Sequence, residues 1–206
     1  VQSAAVADLD HEYQARWPAL KDAADLINVL LHECLHDLPH VDAIRTRVKG
    51  VTRFVEKAQR INPASGEPHY HHPLEDIQDQ IGARVVVVYK SDVQPVADRV
   101  LAEFCEVEDR LVEQPDPASF GYEARHFVCI IPPDIVRRSA SPVSFFELQI
   151  ATVFQHAWAE ANHDLGYKPQ RELDYAEQRH IAWAAAQAWG ADRIFDEMWL
   201  GQRPAE

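Results

Sequence analysis

Asp79-Gln80-Ile81-Gly82-Ala83-Arg84-Val85-Val86-Val87-Val88-Tyr89 decides the fold. From Ala83 to Tyr89 the run is almost wholly apolar, which predicts a strand buried on both faces of a sheet. Such a strand needs helices above and below it. Asp79, three residues before Gly82, stands at the mouth of this strand, and Arg84 emerges where it begins. A carboxylate there can hold Mg²⁺, and a guanidinium can stack on a base or contact phosphate. Asp in a turn followed by Gly is also ordinary loop chemistry.

Upstream, Asp42 to Lys49 alternates, so Arg45, Arg47 and Lys49 share one face of a strand and Ile44, Thr46 and Val48 the other. The next helix, about Val51 to Ile61, turns Val51, Phe54, Val55, Ala58 and Ile61 inward and Arg53, Lys57 and Arg60 outward. Arg47, Lys49, Arg53, Lys57 and Arg60 can converge where strand meets helix, a cation density suited to a nucleoside triphosphate. Taken alone, a solvated basic face is the simpler explanation of them. An earlier helix over about 10–38 carries Leu26, Ile27, Leu30 and Leu31, with Pro18 expected to break or start it.

Downstream, Ser91 is placed to cap a helix running to about Phe104. Cys105 to Val112 alternates as a strand, Phe127 to Ile131 is another apolar strand ended by Pro132 and Pro133, and Phe145 to Ile150 is a further one. Thr152 is placed to cap a helix reaching about Gly166. On it Phe154, Ala157, Trp158, Ala161 and Leu165 form an apolar stripe, opposite His156, Glu160, His163 and Tyr167. That polar stripe reads as a wall facing a substrate; it lacks the spacing of a His-Glu-x-x-His zinc site. Glu147 and Gln149 share a strand face, so Glu147 can serve as a metal ligand or general base. Gly121-Tyr122 places a ring in a loop just before a strand, able to stack on a purine or to plug the strand entrance. A last amphipathic helix covers about 173–200, its line of Ile181, Ala184, Ala185, Ala188, Phe195 and Trp199 packing on its own domain or on a partner helix.

Composition bounds the possibilities. The 206 residues, 47% hydrophobic with 5 Trp, 8 Phe and 6 Tyr, suffice for one domain with a full core. With a formal charge of −13, broad binding to nucleic-acid phosphates is disfavoured. Neither a membrane-spanning run nor a signal peptide is visible, so a cytoplasmic protein with no membrane association is expected. Cys34, Cys105 and Cys129, an odd set without C-x-x-C spacing, read as buried free thiols. The His69-Tyr70-His71-His72 cluster lies in a Pro-rich loop and lacks a second ligand group.

Strands alternating with helices give an α+β class, a mixed β-sheet flanked by helices. The ordered set Arg47-Val-Lys49 with Lys57, Asp79 to Arg84, Tyr122 to His126, Glu147-Leu-Gln149 and the helix ending Tyr167-Lys168 resembles the synthetase domain of the RelA/SpoT homologue family, the small alarmone synthetases. The resemblance covers about 47–168. It implies a nucleotidyltransferase-like synthetase domain over 1–206, core about 42–168, with N- and C-terminal helical extensions. It also implies Mg²⁺-dependent transfer of pyrophosphate from ATP to the 3′-hydroxyl of GDP or GTP, releasing AMP. By the same resemblance Arg47 and Arg84 sandwich the ATP adenine, and Lys49, Lys57 and Arg53 belong to the phosphate side. Asp79 and Glu147 are the catalytic, metal-holding carboxylates. Tyr122, His126, Gln149 and His156 face the acceptor.

Several positions depart from the family pattern. Arg53 replaces a Ser, Ala151 a basic residue, Ala118 and Phe120 an upstream Lys and Asn, and Ala124 a Ser. Losing a cation from a phosphate clamp costs about 1.5–3 kcal/mol per charge-assisted bond. The alternatives are therefore transfer to adenosine nucleotides or to the 3′ end of tRNA, as in toxic relatives, or a degenerate nucleotide-binding regulatory domain. A homo-oligomer and an antitoxin partner are both compatible with the type.

Overall fold

A computed structural model describes residues 2–114, 116, 119–166 and 172–202. Ala118, Tyr167 and Lys168, named above, lie outside the described residues. In chain order the elements are α1 (Gln2–Leu35), β1 (Val41–Val48), α2 (Val51–Ala58), α3 (Pro73–Asp76), β2 (Ile81–Val87), α4 (Val93–Glu103), β3 (Glu106–Val112), β4 (Ala124–Ile130), α5 (Pro133–Ser139), β5 (Phe145–Thr152), α6 (Val153–Gly166) and α7 (Tyr175–Gly201). Single 3₁₀ turns precede β2 and α4.

The strands form one mixed sheet, ordered β1-β2-β5-β4-β3. Among the described residues only β2 and β5 pair in parallel. Because side chains alternate across a sheet, one register sorts them into two faces. Ala83, Val85, Leu148, Ile150, Phe127 and Cys129 point into a core closed by Tyr13, Leu20, Ile27 and Leu31 of α1, Phe54 of α2 and Val96 and Val100 of α4. The opposite face carries two polar rows. Arg47, Gly82 and Glu147 pair across β1, β2 and β5, and Arg45, Arg84, Gln149 and His126 pair across β1, β2, β5 and β4. Core burial of the apolar face thus fixes where the charged side chains stand.

Several expectations need correction. Helix α1 runs unbroken through Pro18: Leu20 two residues after it and Tyr13 five before it are both fully buried, so packing along one stripe outweighs the single backbone hydrogen bond that proline forfeits. Ser91 does not cap α4. Its N–H donates to Asp196 Oδ1 (2.8 Å), and the helix starts past the intervening 3₁₀ turn. Ile61 lies beyond α2 in an isolated bridge to Pro68 and is 56% exposed. Leu165 is also exposed, and on α7 Ala184 and Phe195 are exposed while Ala185 and Asp192 are buried. Pro132 and Pro133 end a strand but also begin α5, proline being favoured in a first helical turn. Cys34 and Cys129 are buried, but Cys105 is exposed. Thr152 does cap α6: its Oγ1 accepts from the Gln155 N–H (3.2 Å). Among the described residues no helix is long and apolar enough to cross a membrane.

Candidate active site

The polar face of the sheet floors a cleft of about 670 Å³. Arg47, Lys49, Arg53, Asp79, Arg84, Glu147, Gln149 and His156 all line it, together with Arg45 and Glu160. Lys57, Tyr122 and His126 are not in its wall; Lys57 contacts Asp79 and His126 contacts Glu147, both lining residues, and Tyr122 reaches the wall through His126.

At one end, Lys49 leaves β1 and its N–H donates to the Gln80 carbonyl (2.8 Å), fixing the 3₁₀ turn that holds Asp79. Lys49 Nζ lies 2.9 Å from Asp79 Oδ2 and Lys57 Nζ 3.0 Å from Oδ1. The Lys57 contact is an ion pair without hydrogen-bond geometry, so buried Oδ1 keeps an uncommitted lone pair. Tyr13 supports this end from below, stacked on Phe54 with its hydroxyl donating to the Lys49 carbonyl (2.9 Å). Arg53 reaches from α2 across to His163 Nε2, so the extra charge at this position is tied to α6.

At the centre, Arg84 is pinned by its edges. Its Nε and Nη2 donate to Gln149 Oε1 (3.1 and 2.9 Å), and its Nη1 donates to His156 Nδ1 (2.9 Å) and Glu160 Oε1 (2.6 Å). Four of five N–H groups are engaged, leaving the flat faces of the guanidinium, which suit stacking better than a grip on phosphate. A guanidinium only donates, so His156 Nδ1 accepts and its ring proton is on Nε2. Burial and the Arg84 charge agree with that neutral form, holding the imidazole below its ordinary pKa. Glu160 is kept ionised by Arg84 against the opposing effect of burial. The sequence had marked Glu160 only as part of a polar stripe. Its spacing four residues from His156 was the available signal; its partner, 76 residues away, was not readable.

Across the ladder from Gly82, Glu147 accepts from Gln149 Nε2 (2.7 Å), and its Oε1 lies 3.5 Å from His126 Nδ1. Burial would raise its pKa, but His126, the Gln149 bond and the Lys57 charge outweigh burial and bring it to about 2. His126 Nε2 in turn sits 3.3 Å from the Tyr122 hydroxyl, whose own pKa burial pushes up to about 12. A Cβ at Gly121 would collide with the Gln114 amide, which donates to the Tyr122 carbonyl (3.3 Å) and holds this loop. Ala151 is buried beyond the cleft, in the wall of a second cavity of about 480 Å³, so the missing cation leaves no gap in the lining of the main cleft.

Among the described residues no three His, Cys, Asp or Glu side chains form a group that could hold a metal. Two carboxylates facing a phosphate-sized space are a different case. Magnesium commonly takes one or two protein carboxylates and completes its shell with substrate phosphates and water. Asp79, with its uncommitted oxygen, and ionised Glu147 fit that donor set.

Residues 46–172 match the family model described as a region found in RelA / SpoT proteins. The GTP pyrophosphokinase YjbM of Bacillus subtilis (strain 168) is 30% identical over 142 residues, 67% of this chain and 62% of that protein, so the match spans less than two thirds of the relative's length. The crystal structure of the small alarmone synthetase 1 from Bacillus subtilis superposes with a TM-score of 0.72 at 23% identity, covering 91% of this chain and 96% of that one. A structure of that synthetase bound to AMPCPP gives 0.72 at 21% identity, covering 95% and 99%. At these identities the structures establish a shared fold.

Proposed function

The chain belongs to the RelA/SpoT family, and from that premise we propose that it is a pyrophosphokinase making guanosine tetra- or pentaphosphate and AMP from ATP and GDP or GTP. The observation that carries this reading is the gathering, in one cleft, of an edge-pinned guanidinium, a cluster of cations and two carboxylates. The relative named a GTP pyrophosphokinase supports it.

In this reading the adenine lies between Arg47 and the free face of Arg84, and Lys49, Lys57 and Arg53 meet the phosphates. Asp79 and Glu147 would hold Mg²⁺, which when bound offsets charge on the transferred group. The acceptor base packs near Tyr122 and His156. The acceptor O3′–Pβ bond forms as the bond from Pβ to the α,β-bridging oxygen breaks, AMP leaves with that oxygen, and the hydroxyl proton passes to Glu147 or to water. Little covalent chemistry falls to the protein; positioning and charge do most of it. Glu147, kept ionised by His126 and the Gln149 bond, would serve as metal ligand or as the base that activates the acceptor hydroxyl.

The test is anion-exchange chromatography after incubation with ATP and Mg²⁺, alone and with GDP, GTP, adenine nucleotides or tRNA. AMP and a new product with a guanine nucleotide are expected. AMP with a different acceptor would change the substrate. Bound ATP with no AMP from any mixture would leave a regulatory nucleotide-binding domain.

A further inference from the structure

We propose that Gln149 is a positioning residue that ties the donor-base platform to the acceptor-side carboxylate, rather than a contact for the acceptor nucleotide. The inference rests on the reading above for the roles of Arg84 and Glu147, and on geometry for the link between them.

The orientation of an amide side chain is set here from both ends. Arg84 only donates, so the Gln149 oxygen must face it; ionised Glu147 only accepts, so the amide nitrogen must face Glu147. The observed contacts satisfy both demands at once: Nε and Nη2 of Arg84 at 3.1 and 2.9 Å on Oε1, and Nε2 at 2.7 Å from Glu147 Oε2. Rotating the amide by half a turn would set like groups against each other at both ends. A carbonyl oxygen has two lone pairs, and both are used. Gln149 therefore keeps a single N–H for anything else, and none of its acceptor capacity.

The sheet explains why this residue can do it. Gln149 pairs with Arg84 across the parallel β2–β5 ladder, on the same face, where neighbouring side chains stand about 5 Å apart. Glu147 is two residues earlier on the same strand and same face. One side chain can thus touch a member of each row. The chain continues through Glu147 to His126 and Tyr122 on one side and through Arg84 to His156 and Glu160 on the other. Glutamate in place of Gln149 keeps an oxygen for Arg84 but has no proton for Glu147; leucine keeps neither.

The experiment compares Gln149→Glu and Gln149→Leu with wild type, measuring the affinity for a non-hydrolysable ATP analogue, kcat, both KM values and the ¹⁵N–¹H resonance of Arg84 Nε. Gln149→Glu should retain a protected Arg84 Nε–H and an ATP affinity near wild type while kcat falls about 10- to 100-fold. Gln149→Leu should lose the protected resonance and weaken ATP about tenfold as well. Raised acceptor KM in both variants, with ATP affinity and the Arg84 resonance unchanged, would overturn the proposal and restore Gln149 as an acceptor contact. Unchanged behaviour in both would overturn it too. If the protein proves to have no turnover, the analogue affinity and the Arg84 resonance still decide the link, so the failure of the catalytic reading is distinguishable from the failure of this one. Melting temperatures of both variants identify any loss that is only unfolding.

Discussion

Gly82 lies directly across the parallel ladder from Glu147, with Arg47 opposite it on the other side, so the middle of that row has no side chain. A Cβ at Gly82 would meet Arg47 Cγ at 4.0 Å, ordinary contact, so the backbone itself tolerates a larger residue. What the glycine preserves is depth between a cation and a carboxylate. Gly82→Ala should keep the melting temperature and lose little activity. Gly82→Leu should fold as well but fill the cleft floor, lowering kcat/KM at least about 100-fold, since a misplacement of about 1 Å can cost that much. A fully active leucine variant would show that substrates do not use this gap.

Asp79 holds two lysines, which leads to opposite expectations with and without metal. Asp79→Asn frees Lys49 and Lys57 and removes one negative charge from the cleft. ATP measured by calorimetry in chelator should then bind more tightly than to wild type, because the lysines no longer have to leave a carboxylate. Turnover with Mg²⁺ should fall at least about 100-fold. Equal ATP affinity in chelator would mean that the two lysines do not meet the phosphates.

Arg84 is held by four hydrogen bonds from its edge, so its contribution to ATP binding should be that of a plane rather than of a charge alone. Lysine preserves the charge and loses the plane. Arg84→Lys should raise KM for ATP about tenfold, the scale of a desolvated stacking contact. Full retention of ATP KM would indicate that charge alone suffices at this position.

The parts of this architecture that were legible in the sequence are those set by local pattern. The apolar run after Ala83 identified β2, and alternation in β1 put Arg45 and Arg47 on one face. The cluster of site residues was legible through the order of its short motifs, and the comparisons place the chain in the family those motifs resemble. Register was not legible. Nothing near Arg84 in the chain announces that Gln149, 65 residues on, is its partner, because strand pairing is decided by burial of the whole sheet. The unbroken course of α1 through Pro18 and the start of α5 at Pro133 were not legible for a related reason: proline's local effect depends on whether packing or a helix start accommodates it.

Asp192 gives a prediction about the fold rather than the chemistry. It lies on α7, is 5% exposed, and its Oδ2 accepts from Thr152 Oγ1 (2.8 Å), the hydroxyl that caps α6. Burial raises its pKa from 3.8 to about 6, against the lowering effects of the Thr152 and Gln155 bonds and Lys90. A raised carboxyl binds its proton more tightly when folded than when unfolded. Its contribution to stability is therefore greatest below the unfolded value, declines as pH rises from about 4 to about 6, and is flat above that. Glu147, brought down to about 2, has the opposite sign: its contribution is present above the ordinary carboxyl range and lost as pH falls toward 2. Comparing wild type with Asp192→Asn at each pH cancels Glu147 and every other shared group. The asparagine variant should gain about 2 kcal/mol on wild type between pH 4.5 and pH 7.5, about 4–8 °C in melting temperature for a chain of this size. A pH-independent difference between the two proteins would mean that Asp192 titrates in the fold as it does in the unfolded chain, and that α7 does not bury a strained charge against the cap of α6.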